Sequence, residues 1–171
     1  MQVQTLMNPN TATLVEFNST SNISDWFVIN DTIMGGKSDS GFYLNKEGDA
    51  VFKGNISLEN KGGFSMLKHR LLPINVAKYD TIALKLKGDG KRYQVRLKSN
   101  SEEQHAYASY FVTSGNWQII EIPLAELHPT FRGQKLQIAN YPNKILEEIA
   151  ILIGNKKAES FHLELKWIAL K

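Results

Sequence analysis

Apolar and polar residues alternate with a period of two along most of the chain. In FHLELKWIA, Phe161, Leu163, Leu165, Trp167 and Ala169 fall on one side, while His162, Glu164 and Lys166 fall on the other. RYQVRLK sets Tyr93, Val95 and Leu97 against Arg92, Gln94, Arg96 and Lys98, and TIALKLK places Ile82, Leu84 and Leu86 on its apolar side. Successive side chains of an extended strand point to opposite faces, so this rhythm marks strands with one face in a core and one in water. The runs ATLVEF, WFVI, GFYLN, AVFKGNIS, GFSMLKH, HAYASYFVT, NWQIIEIP and EIAILIG are strand-like too. Turn residues separate them at the spacing of a β-sandwich or barrel. Helical pieces are short, near Leu124–Leu127 and Asn143–Glu147, and no internal repeat or low-complexity linker is visible. The pattern predicts an all-β sandwich of two mostly antiparallel sheets with little helix, built as one domain over residues 1–171.

A register follows from the same pattern. A two-residue turn at Asp89-Gly90, a favoured type I′ dipeptide, pairs Leu86 with Tyr93, Leu84 with Val95 and Ile82 with Leu97. A three-residue loop sets Leu86 opposite Arg92 and mixes the faces. The expected hairpin gathers Lys85, Lys87, Arg92, Arg96 and Lys98 on its other face. Such a row is either a solvated outer surface or a docking surface for an acidic protein segment or a phosphate-bearing ligand.

Composition narrows the classes. With 42% hydrophobic and 22% charged residues the chain reads as an ordinary globular protein. The net charge of +3 and the pI near 9.0 permit an anionic partner without demanding nucleic acid. There are no cysteines, which removes disulfides, thiolate metal sites and cysteine nucleophiles. No apolar run approaches the ~20 residues that span a bilayer. The opening MQVQTLMNPNTATLVEF lacks the basic and apolar regions of a secretory signal, and the first arginine is Arg70. The expected location is therefore cytoplasmic, and the glycosylation sequons at Asn18, Asn22, Asn30 and Asn55 read as chance.

Catalytic motifs are missing from the sequence. There is no G-x-S-x-G elbow, H-E-x-x-H helix or Walker loop, and His69, His105, His128 and His162 show no metal-ligand spacing. Asp25, Asp31, Asp39 and Asp49 offer oxygen ligands for a calcium ion, but without the D-x-D-x-D-G pattern. They surround NDTIMGGKSDS (30–40), which joins two strand-like runs. There Gly35-Gly36 admits positive φ, Asn30, Asp31 and Ser38 can bond neighbouring amides, and Met34 reads as an apolar plug beside Trp26. Asp31, Gly35, Gly36 and Ser38 are thus either a rigid structural loop or an anion-contacting nest.

DWFVINDTIMGGKSDSGF and AVFKGNISLENKGGFSMLKHR resemble the opening of the complex I intermediate-associated protein 30 family. The resemblance continues through LKLKGDGKRYQVRL, FVTSGNWQIIEIPLAELHPTFRG and IAILIGNKKAESFHLELKWI, over residues 14–170. The family's segments W-x-x-x-N-D-x-x-M-G-G-x-S, G-G-F, G-D-G-x-x-Y and F-R-G are all present. The chain departs from the pattern at Glu159-Ser160, where members commonly carry Gly-Pro. The resemblance implies a galactose-binding-like jelly roll, similar in fold to carbohydrate-binding modules. It also implies a non-enzymatic assembly domain that holds a protein partner of a respiratory or redox complex, with no cofactor or metal. The alternative is a glycan-binding module using Tyr107, Tyr110 and Trp117 as stacking platforms on a concave sheet. Oligomeric state is left open.

Overall fold

The computed structural model describes residues 11–171, apart from the side chains of Ile33 and Met34. The reading of Met34 as an apolar plug lies outside the described residues. The strands are β1 (Ala12–Glu16), β2 (Trp26–Asn30), β3 (Asp39–Leu44), β4 (Ala50–Ile56), β5 (Ser65–Asn75), β6 (Thr81–Lys87) and β7 (Arg92–Lys98). They continue with β8 (Ala106–Val112), β9 (Trp117–Pro123), β10 (His128–Phe131), β11 (Gln134–Lys135), β12 (Ile145–Ile153) and β13 (Glu159–Leu170). One sheet runs β3-β4-β13-β6-β9, with β1 beside the second half of β13; the other runs β11-β10-β8-β7-β12-β5-β2. All pairings are antiparallel.

The alternation explains the two-layer packing. Phe52, Ile82, Leu84, Leu86, Phe161, Leu163 and Leu165 of the six-stranded sheet meet Leu67, Tyr93, Val95, Leu97, Ile149 and Ile151 of the seven-stranded one in a single buried cluster. Full burial of each such side chain is worth about 2 kcal/mol. In β13 the predicted phase holds only to Leu165. A bulge between Leu165 and Trp167 turns Ile168 and Leu170 inward and leaves Trp167 half-buried opposite Lys85. One extra residue inverts a period-two pattern, and alternation alone does not reveal it.

The predicted hairpin does not form. β6 pairs with β13 and β9, while β7 pairs with β12 and β8, so Gly88-Asp89-Gly90 crosses from one sheet to the other. Strands facing each other across a core present apolar residues to each other, and this yields the same alternation as a hairpin with one buried face. Asp89 secures the crossing. Its carboxylate accepts the Lys91 amide at 3.2 Å and the Tyr93 hydroxyl at 3.0 Å on one side, and the His162 amide at 2.8 Å on the other.

Helix is confined to 3-10 turns at Asp31–Met34, Glu59–Lys61 and Leu124–Glu126 among the described residues. The helical piece expected near Asn143–Glu147 is instead a left-handed Asn143 followed by the start of β12. No helix among the described residues is long and apolar enough to cross a membrane.

Candidate functional site

The glycine loop 30–40 leads from β2, an edge of one sheet, to β3, an edge of the other. Asn30 starts its 3-10 turn, accepting the Thr32 amide at 3.0 Å. Asp31, 1% exposed, is the hub. Its carboxylate accepts the Ser38 amide at 2.9 Å, the Ser38 hydroxyl at 2.5 Å, and the amides of Gly63 at 2.5 Å and Phe64 at 3.3 Å. Burial pushes this carboxyl's pKa up, but the hydrogen bonds outweigh burial and hold it below the ordinary aspartate value. Gly35 has a φ of 90°, as expected. Gly36 serves differently: a Cβ there would lie 2.4 Å from Asp31 Cγ, and one on Gly62 would lie 2.4 Å from Asp31 Oδ2. The amides of Gly35, Gly36 and Ser38 already bond Thr32 and Asp31, so these residues form a clamp rather than an open anion nest.

The cationic row divides between the sheets. Lys85 and Lys87 lie on the outer face of the six-stranded sheet, opposite Trp167 and Glu164. Arg92, Arg96 and Lys98 lie on the outer face of the seven-stranded sheet. There β12 and β5 add neighbours that the sequence reading missed: Glu148 stands opposite Lys98 and Arg70, and Ala150 opposite Arg96 and Lys68. Lys135 of β11 extends the same face. Glu148, 4% exposed, is the one carboxylate in these paired rows. Its Oε1 lies 3.2 Å from Lys68 Nζ and 4.0 Å from Arg70 Nε, and its Oε2 lies 3.9 Å from Lys98 Nζ. Burial lowers the pKa of Arg96, against the pull of Glu148. Burial also lowers that of Lys98, joined by repulsion from Lys68, Arg96 and Arg70. His128, on the same face, is lowered by burial and by Lys135 and Arg96. A cleft of about 200 Å³ opens here, with Lys68, Arg96, Lys98, Arg132 and Glu148 in its walls. The Glu at the head of EIAILIG and the charges within SMLKHR were visible in the sequence. Their meeting depends on the strand order β7-β12-β5, which periodicity does not contain.

The three aromatics do not share a face. Tyr107 is buried in the core, packing edge-on to Tyr141 at 5.4 Å between ring centres. Tyr110 is exposed on the seven-stranded sheet beneath the Arg92 guanidinium at 4.0 Å. Trp117 belongs to the six-stranded sheet and lies under Lys166 Nζ at 4.5 Å. The acidic quartet also disperses: Asp31 holds the clamp, Asp39 accepts the Asn55 amide and Asp49 pairs with Lys166 at 3.5 Å. Among the described residues no three metal-ligating side chains converge. A second groove, about 730 Å³, lies over the six-stranded sheet beside Tyr43, Lys53, Asn55 and His162, with Lys53 Nζ 5.5 Å above the Tyr43 ring.

Residues 15–165 match the family described as Complex I intermediate-associated protein 30. The chain belongs to this family. A mouse (Mus musculus) member, named "Complex I intermediate-associated protein 30, mitochondrial", is 21% identical over 180 residues, which cover 91% of this chain and 54% of the mouse protein. The chain thus spans about half the length of that curated relative. The fold is also that of carbohydrate-binding modules. The family 11 module of the cellulosomal cellulase Lic26A-Cel5E of Clostridium thermocellum superposes with a TM-score of 0.64 at 15% identity, covering 94% of this chain and 93% of the module. A family 29 module from Piromyces equi gives 0.53 at 13% identity, covering 94% and 88%. This member of the complex I intermediate-associated protein 30 family is therefore a galactose-binding-like jelly roll. Two of the segments that carry its resemblance, N-D-x-x-M-G-G-x-S and G-G-F, meet at the Asp31 clamp; a third, G-D-G-x-x-Y, is the Asp89–Tyr93 crossing.

Proposed function

We propose that this domain is a non-enzymatic binding module that holds a protein partner during assembly of a respiratory or redox complex. The outer face of the seven-stranded sheet engages an acidic or phosphorylated surface of that partner. The observation that carries this reading is the charge imbalance on that face, where Lys68, Arg70, Arg92, Arg96, Lys98 and Lys135 are answered in the paired rows by Glu148 alone. Like charges arrayed on one face repel each other and are stabilised by an opposing charged surface. Membership of the complex I intermediate-associated protein 30 family supports a protein partner. The cytoplasmic setting expected from the sequence belongs to the same proposal, as does the lack of a cofactor, a metal or a nucleic-acid ligand.

The test is a salt titration of the partner captured from native cells. Arg92 and Lys135 are exposed, so Arg92→Glu and Lys135→Glu leave the core alone. Both reversals are expected to slow association more than they speed dissociation and to reduce the salt dependence of binding. Binding that survives both reversals but is lost in a Lys85→Glu/Lys87→Glu variant would place the working surface on the other sheet.

A further inference from the structure

We propose that the cleft framed by β5, β12, β7 and the β10–β11 turn is a site for one oxyanion group, a carboxylate or phosphate carried on a small ligand or on a side chain. Size comes first. At about 200 Å³ the cleft is smaller than typical small-molecule pockets of roughly 300–1,000 Å³, so it admits one acid group with a short stem and not a sugar chain or a dinucleotide.

Charge decides the class. Glu148 sits within 4.0 Å of Lys68, Lys98 and Arg70, so a single buried carboxylate is shared among three cations. Its Oε1 accepts no aligned hydrogen bond although Lys68 Nζ is near. Arg96, also in the wall, donates to Gln94 Oε1 at 3.2 Å and forms no ion pair among the described residues. A guanidinium that has lost water and gained no carboxylate is an open half of a bidentate pair, the geometry arginine uses for carboxylates and phosphates. At the rim Arg132 stands on the Phe131 ring at 5.2 Å, on a left-handed backbone with a φ of 49°. Met66, Phe131 and Ala150 supply apolar wall for the stem. Glu148 is a positioning residue here. It lies nearest Lys68, while Lys98 Nζ donates to the Glu103 carbonyl at 2.7 Å, and the charge of Glu148 opposes the incoming anion.

The experiment is a titration of the whole chain with sodium phosphate and, separately, citrate, followed by amide NMR with ionic strength held by sodium chloride. Saturable shifts are expected at Lys68, Arg96, Lys98, Arg132 and Ala150, with chloride alone leaving them unmoved. Arg132→Gln and Arg96→Gln should each weaken binding about tenfold, the loss of one charge-assisted hydrogen bond. Glu148→Gln should tighten it several-fold, a direction that damage to the fold would not produce. The proposal is overturned by shifts that do not saturate, by an equal response to chloride, or by Arg132→Gln binding like the native chain. Weaker binding in a folded Glu148→Gln variant overturns it too. If the buried variants fail to fold, Arg132→Gln at the exposed rim decides alone. A short glutamate-rich peptide and its glutamine counterpart identify the carrier. Preference for the glutamate peptide over citrate assigns the oxyanion to a protein side chain, and the reverse assigns it to a free small acid. Loss of the salt-sensitive partner binding proposed above would leave these shifts in place, so the two ideas fail separately.

Discussion

Gly35 and Gly36 stand side by side and are required for different reasons. Gly35 has open space around a Cβ position but a left-handed backbone, so Gly35→Ala should cost about 1–2 kcal/mol, and Gly35→Asn less because asparagine enters that region most readily. Gly36 faces Asp31 at a distance no Cβ tolerates, so Gly36→Ala should cost more, about 2–4 kcal/mol. Denaturant midpoints for the three variants check the order; equal losses for both alanines would show that one mechanism serves both sites. Asp31→Asn keeps the shape of the hub but turns an amide toward donors from Ser38, Gly63 or Phe64, with an expected loss of about 3 kcal/mol at neutral pH. A variant as stable as the native chain would remove Asp31 from its place as hub.

At the scale of elements, the crossing between β6 and β7 depends on Asp89 as an acceptor shared by the two sheets. Asp89→Ala is expected to cost about 2–3 kcal/mol by leaving the buried Tyr93 hydroxyl without its partner, while Asp89→Asn keeps one acceptor oxygen and costs less, about 1–2 kcal/mol, because its amide then faces the Lys91 or His162 N–H. Equal effects of the two substitutions on thermal midpoints would show that turn geometry alone matters there. The strands with strict alternation, such as 81–87 and 92–98, were legible in the sequence because burial of one face imposes the period directly. β10 and β11 were not, since HPTF carries a proline in four residues and β11 has only two. Neither the β13 bulge nor the choice between a hairpin and a crossing leaves a periodic trace, so both needed the structure. The candidate site divides the same way. Arg96 and Lys98 were found by alternation on one strand. Lys68, Arg70 and Glu148 join them only through strand order, a long-range property that no local window encodes.

For the whole molecule, the titrating groups set a pH window. The folded-state pKa of Asp31 is lowered, so its contribution is present above the unfolded value of about 4 and is lost as pH falls through the folded value. Tyr93 is pushed far up by burial, with Asp89 adding to it, and Tyr141 is pushed up by burial and then by Tyr107. Their contribution is present below the unfolded value of about 10 and is lost as pH rises beyond it. Stability should therefore plateau between about pH 7 and 9; below it the lowered His128 removes stability first, as pH falls past the unfolded histidine value of about 6.5, and the acid shoulder of Asp31 follows, which flattens in Asp31→Asn while the alkaline one stays unchanged. Denaturant titrations across pH read both shoulders, and an unaltered acid shoulder in that variant would reject the assignment. Strand order has a further consequence, one of timing. β13 lies at the centre of the six-stranded sheet, between β4 and β1 on one side and β6 on the other, yet every other described strand precedes it in the chain. As the chain leaves the ribosome, β4 and β6 emerge with unmatched edges and wait for the ribosome to read about a hundred and about seventy further codons respectively, a matter of seconds at about 5–20 residues per second. Throughout that interval the nascent sheet is open along its middle, where other chains can pair with it, and chaperone cover is needed most.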